Sequence, residues 1–338
     1  MDQSTHSWIA IRALALLKEK GEAKNLVELL KPHAAASSVG AWIPDNVDAK
    51  RGGAGSSTDN HILKMEPYIG SQTDRFVVKK ADLMKHLGRH RATFSFLEND
   101  TYLDPAWWEK PYKGDAPKPG QHLPNRIMAL STMMKDVLLM GDEKVDKLIP
   151  GSISFIDYMA EKQRTPEEMA AMDFFMLSHF VADACMPCHC DGRLLAGYRA
   201  GMHKELEEHW SKIVGPAFEK KNLKKSKVAG DQILEQARKV DGKFGLTFGA
   251  DPIPGLLRDH DVWLEFIYMC RASFAVASIV APYTAYPYDN SQRKIRFADI
   301  LGKPKQKLLD DLDRTVMYDA VMNTAIVWKH IWNKVSKL

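Results

Sequence analysis

Apolar residues recur every three or four positions along most of this chain, and strict alternation of apolar with polar residues is almost absent. Ile9, Ala13, Leu16 and Leu17 set that rhythm at the start, and Val321, Ala325, Val327, Trp328, Ile331 and Trp332 repeat it at the end. A period near 3.6 lines one face of a helix, whereas a half-buried strand needs a period of two. The spacing predicts helices at about 4–31, 79–90, 124–140, 152–162, 198–215, 226–240, 259–281 and 305–335. Another opens at Thr165-Pro-Glu-Glu168, which combines an N-cap threonine, proline in the first turn and a glutamate three residues after the cap. It runs through Phe174, Phe175, Leu177 and Phe180 to about Cys185, where Pro187 ends it.

Two long stretches break the rhythm. Residues 37–60 contain the run Gly-Gly-Ala-Gly-Ser-Ser, and a loop at about 99–123 is rich in proline and aromatics, among them Trp107, Trp108 and Tyr112. Loops of such length in a compact protein are usually functional or mobile; these aromatics read as packing, as a cover for a site or as a lipid contact. No internal repeat is present, so the reading is a single all-α domain over 1–338 with several helices and long irregular loops.

Composition changes this picture little: 45% apolar and 27% charged residues are ordinary globular usage. A net charge of +4, from 47 basic and 43 acidic residues, is too small to imply a polyanion partner by electrostatics alone. The basic run Lys220, Lys221, Lys224, Lys225 and Lys227 reads first as a solvated linker, and second as a contact for phosphate or a membrane surface. The longest apolar run, Ala272 to Ala281, is too short for a membrane span and reads as a buried helix. Arg12 interrupts the first apolar stretch and no basic region precedes it, so no secretory signal is read and the chain as written is expected in the cytoplasm. Cys185, Cys188 and Cys190 crowd together, a spacing that suggests reducing conditions or metal chemistry rather than a disulfide framework.

That crowded segment carries the candidate chemistry. His179 and Asp183 stand four apart on one predicted helix and so share a face. His189 follows just beyond Pro187, and His203 and Glu207, again four apart, sit on the next helix. Two such pairs on neighbouring helices, with a fifth ligand between them, can converge on one cavity as metal sites in helical bundles do. Histidine nitrogen with carboxylate oxygen suits zinc. Any one pair is usually structural; the whole string H-x3-D-x5-H-x13-H-x3-E is much harder to meet by accident.

At these residues the chain resembles the superfamily of zinc-dependent phospholipases C and single-strand-specific zinc nucleases. The spacing from His179 to Glu207 matches the bacterial phospholipase C pattern, and the final glutamate sides with that branch. Met186-Pro187 is similar to the Gln-Pro before the corresponding histidine, and T-H-S-W-I-A-I-R-A-L looks like the family's first helix, with His6 in its histidine position. Trp42-Ile-Pro-Asp45 followed by His61 looks like the family's Asp and His pair, with His33 and Asp48 as rivals. The family also uses the amino group and carbonyl of its first mature residue, and Met1 lies five residues before His6, as that residue does in the nucleases.

The resemblance implies a phosphodiester hydrolase with three zinc ions that generate a reactive hydroxide near neutral pH and clamp the phosphate. Asp183 would bridge two ions, with Asp45, His61 and His179 on one and His6 and Met1 on the other. His189, His203 and Glu207 would hold the third, and Asp45 would be the general base. Glu205, Glu208, His209 and Asp191 are candidates to orient ligands, although each reads first as a surface residue. The substrate would be a phospholipid or a nucleic acid, with no protein partner implied; the family is usually exported. Asn46 stands where the bacterial phospholipases place a tyrosine, and Ile62 where base stacking would want an aromatic, so neither specificity carries over. Two other readings remain: Cys185-Met-Pro-Cys188-His189 also spells the attachment signature of a c-type haem electron carrier, and Cys185, Cys188 and Cys190 could form a structural zinc site.

Overall fold

The computed structural model describes residues 1–45, 123–140, 165–190, 198–219, 222–223, 230–256, 262–280 and 306–335. Every regular element among them is helical, and the fold is all-α. In chain order they are α1 (Gln3–Lys20), α2 (Lys24–Leu30), a 3₁₀ run (Lys31–Ala36), α3 (Ser37–Gly40), α4 (Leu123–Met140) and α5 (Pro166–Ala184). Then come α6 (Pro187–Cys190), a π-helical turn (Tyr198–His203), α7 (Lys204–Val214), a 3₁₀ turn (Pro216–Phe218), α8 (Gly230–Arg238), α9 (Asp241–Phe244), α10 (Val262–Val280) and α11 (Gln306–Val335). The predicted helices at 79–90 and 152–162, residues 99–122 of the long loop and the five lysines of the basic run lie outside the described residues. No described helix is long and apolar enough to cross a membrane.

The axis of the structure is α1. Every residue from Ser4 to Leu17 is buried, and the helix packs against α2, α3, α5, α7, α8 and α11. An α-helix enclosed on all sides must be apolar all round or have its polar groups satisfied. From Trp8 to Leu17 it is apolar apart from Arg12, and the Trp8 indole donates to the Ala237 carbonyl at 3.0 Å. Its first turn is polar and still buried: Ser4, Thr5, His6 and Ser7. Asp2 caps the helix, accepting from the Thr5 amide at 3.0 Å and the Thr5 hydroxyl at 2.7 Å, while Ser7 donates to the Gln3 carbonyl. His6 alone in that turn has no hydrogen bond on either ring nitrogen.

The predicted helix at 4–31 is two helices. Gly21, in the left-handed region at φ 64°, caps α1 by donating to the Leu17 and Lys18 carbonyls, and Ala23 at φ 47° starts α2. Apolar spacing continues through Leu26, Val27 and Leu30, so periodicity alone runs across the break. The stretch from residue 37, expected to be irregular, begins as the short helix α3. The Thr165 capping box is formed: Glu168 N–H donates to Thr165 Oγ1 at 3.1 Å, and Thr165 N–H to Glu168 Oε2 at 3.4 Å.

Asp173, on α5, is only 8% exposed, and burial raises its carboxyl from 3.8 to about 6. Burial disfavours the charged form, so the folded-state pKa exceeds the unfolded one. The contribution to stability is therefore fullest below about 3.8 and is lost as pH rises through about 6. Asp173→Asn is expected to stabilise the fold at pH 8 by roughly 1–2 kcal/mol, a value reduced for the water that still reaches the group. Urea denaturation at pH 8 and pH 4.5 checks this; an equal gain at both would contradict the assignment.

Candidate metal centre

Three structural features bring the ligand-type side chains together. The close contact of α1 with α5 sets His6 against His179, with ring centroids 3.9 Å apart and nearly parallel. The helix break at Pro187 turns His189 back toward α5, where its Nδ1 lies 3.2 Å from Asp183 Oδ1. The π-helical turn before α7 ends on His203, whose Nε2 is 2.9 Å from His189 Nε2 and 2.9 Å from Glu207 Oε1.

The described residues form two ligand groups, His6 with Asp45 and His179, and His189 with His203 and Glu207. Asp183 spans them. Its Oδ2 lies 3.1 Å from His179 Nε2, while its Oδ1 lies 3.6 Å from His6 Nε2 and 3.2 Å from His189 Nδ1. Asp45 Oδ1 is 3.6 Å from His179 Nε2, and Asp45 is the most exposed of the first group, at 34% of its side chain. The Met1 nitrogen is buried between the carboxylates, 2.7 Å from Glu207 Oε1 and 3.7 Å from Asp183 Oδ1. His6 thus shares a group with His179 and Asp45, and it also meets the Met1 nitrogen at Asp183 Oδ1, with Met1 lying against Glu207 as well. His61 and Asp48 lie outside the described residues, and His33 joins neither group.

Electrostatics keep these groups ready for a cation. Burial lowers His6 well below the ordinary histidine range, aided by His179, and brings His189 down to about 3 against the pull of Asp183. Burial alone would raise Asp183, but His179, His189 and the Met1 amine outweigh it and hold its carboxyl low. Glu207 likewise stays well below the usual range, because the Met1 amine and His203 overcome its burial. The same acids overcome burial at the Met1 amine and raise it to about 11. For His6 and His189, a neutral imidazole beside an ionised carboxylate is the protonation state that metal ligation requires.

The spacing of the donors also fits a metal. Zinc bonds of about 2.0–2.1 Å at tetrahedral angles put ligand atoms about 3.3 Å apart, and the contacts between side-chain donors here run from 2.9 to 3.6 Å. Two imidazole Nε2 atoms facing each other and one carboxylate oxygen, as at His189, His203 and Glu207, are poorly satisfied by hydrogen bonds but suit a shared cation. Both buried ring nitrogens of His6 lack a hydrogen bond, which also fits a ligand role.

One orienting contact has no sequence signal: His179 Nδ1 is 2.6 Å from the Ala41 carbonyl oxygen. The carbonyl can only accept, so Nδ1 donates to it, and the bond turns Nε2 toward the Asp183 and Asp45 carboxylates. The proposed orienting side chains do other things. His209 and Trp210 both bond Asp313 of α11, at 2.6 Å and 2.8 Å, and Glu208 pairs with Lys204 at 3.8 Å on the surface. Glu205 joins neither ligand group, and Asp191 lies outside the described residues.

All four cysteines are buried thiols, and none belongs to a ligand group among the described residues. Cys185 accepts from the Asn323 amide at 3.3 Å, and Cys190 donates to the Ala184 carbonyl at 3.4 Å, so they brace α5 and α6 within the core. A scan against protein-family models and searches of curated proteins and of solved structures find no match to this chain.

Proposed function

We propose that this chain is a zinc-dependent phosphodiester hydrolase of the phospholipase C type. The observation that carries the proposal is the convergence of the Met1 nitrogen, His6, Asp45, His179, His189, His203 and Glu207 around the single carboxylate of Asp183. Such a cluster holds two groups of nitrogen and oxygen donors side by side, the arrangement that suits a reaction in which attacking and leaving oxygens both need compensation. Zinc, when bound, supplies Lewis-acid chemistry that acidifies water and neutralises phosphate charge.

The chain's own residues supply position and proton handling. His179, fixed by Ala41, and Asp183 hold the inner wall of the site. His189, His203 and Glu207 form the second wall, where the phosphate and the leaving oxygen would sit. Asp45, partly open to water and next to His179, is positioned to take a proton from the attacking water as general base. The covalent-haem reading is less well supported: Cys185 and Cys188 are 4% and 3% exposed, whereas thioether links need both thiols on one open pocket, and His189 faces Asp183 and His203.

Metal analysis of the purified protein is expected to give three zinc ions per chain, and a Soret band would contradict the reading. The zinc-loaded protein is then assayed in parallel on phosphatidylcholine and single-stranded DNA. Phosphatidylcholine hydrolysis supports the phospholipase reading, and cleavage of DNA alone moves the assignment to a nuclease. His179→Ala is expected to lower whichever activity is present by at least about 100-fold, or about 3 kcal/mol of barrier. Undiminished activity in that variant would remove the metal centre from the mechanism.

A further inference from the structure

We propose that Gly40 is a positioning residue for the metal centre: its missing side chain lets the 37–45 segment lie on α5 closely enough to hold the His179 ring. This rests on the metal-centre reading above. Met172, Phe175, His179 and Asp183 follow one another at helical spacing along α5, so they form one strip on its surface. Gly40 lies on that strip. A Cβ at residue 40 would come 2.6 Å from Phe175 Cβ, 2.9 Å from Met172 Sδ and 3.3 Å from the Met172 carbonyl oxygen. Phe175 Cβ is fixed to the helix backbone and cannot swing aside, so any side chain at residue 40 must move the segment itself.

The residues next in line carry the consequence. Ala41 donates its N–H to the Ser37 carbonyl at 2.8 Å, and Trp42 donates to Val39 at 3.0 Å, so α3 and the turn after it move together. The Gln3 amide ties α3 to α1 by donating to the Ser38 carbonyl at 2.9 Å. On this short rigid piece ride the Ala41 carbonyl that holds His179 Nδ1, the Trp42 ring 6.5 Å from His6, and Asp45 3.6 Å from His179 Nε2. Displacing residue 40 by even a few tenths of an ångström loosens the bond that fixes the His179 ring and moves Asp45 from its group. Outer contacts of this kind set ligand orientation and are worth about 10–100-fold in metal affinity.

The test uses full-length protein and zinc ion in competition with a chromophoric chelator. Gly40→Ala is expected to keep its helical circular dichroism and to bind one class of zinc about 10–100-fold more weakly, leaving the class held by His189, His203 and Glu207 unchanged. Gly242→Ala is the control, because a Cβ there meets nothing within 4 Å; it is expected to match wild type. A Gly40→Ala variant with lower thermal stability but unaltered zinc affinity would overturn the proposal, since a purely structural role predicts that outcome. Histidine-selective ¹⁵N NMR of metal-free wild-type protein adds a measurement that no folding defect can obscure: His179 must carry a proton on Nδ1, and a ring with Nδ1 bare overturns the proposal. If wild type and Gly242→Ala both fail to bind zinc, the metal-centre reading falls and the role of Gly40 falls with it. Normal binding by both with an unaltered Gly40→Ala removes the positioning role alone.

Discussion

Asp183→Asn is expected to strip zinc from both ligand groups at once and to lower activity by at least about 1,000-fold, or about 4 kcal/mol of barrier. The substitution preserves shape, so the effect isolates the charge. Asp183 is fully enclosed and meets donors from both sides, His179 through Oδ2 and His6, His189 and the Met1 nitrogen through Oδ1. Every other ligand-type residue belongs to one group or faces one edge. An asparagine would point an N–H at a ring nitrogen or at the Met1 nitrogen and withdraw the negative charge that offsets a divalent cation. Zinc bound only to the native state raises thermal stability, so added zinc should raise the melting temperature of wild type but not of the variant. Three retained zinc ions, or activity within tenfold of wild type, would show that Asp183 is a structural core carboxylate.

The helical elements were largely legible because their signals are local. The capping residues of α5, the break at Pro187 and the apolar period of α11 are all written within a turn or two of where they act. The division of α1 from α2 was not, because Leu26, Val27 and Leu30 keep the apolar rhythm going while Gly21 reverses the backbone. For the site, spacing brought forward His179, Asp183, His189, His203 and Glu207, which sit on α5, α6, the π-helical turn and α7 in sequence order. What spacing could not express is the pairing across distance. The stacking of His6 on His179 depends on α1 crossing α5, and the grip on His179 comes from a backbone carbonyl that any residue type would carry. Arg12 was legible only as an interruption of an apolar run; its reason lies in a residue more than two hundred positions away.

That reason makes Arg12 a sensitive position in the core outside the metal centre. Arg12 is 2% exposed at the middle of α1. Its Nε donates to Asp241 Oδ1 at 2.8 Å and Oδ2 at 2.9 Å, one terminal nitrogen lies 2.8 Å from Asp241 Oδ2, and the other lies 3.0 Å from Glu19 Oε1. The guanidinium also sits 4.6 Å over the Phe248 ring. Replacing it leaves the Asp241 carboxylate largely enclosed without its cation, the situation in which breaking a buried pair costs about 3–5 kcal/mol. Arg12→Met, which keeps an aliphatic stem in the space, is therefore expected to lose about that much by urea denaturation. Desolvation of the stranded charge, rather than lost attraction, is the larger part of that cost, so Arg12→Met combined with Asp241→Leu should recover most of the stability. A double variant no more stable than Arg12→Met would assign the cost to lost packing around α1 instead. Because His6 is fixed on the same helix, recovery of stability with full zinc binding would also show that α1 holds its ligand in place without the Arg12–Asp241 pair.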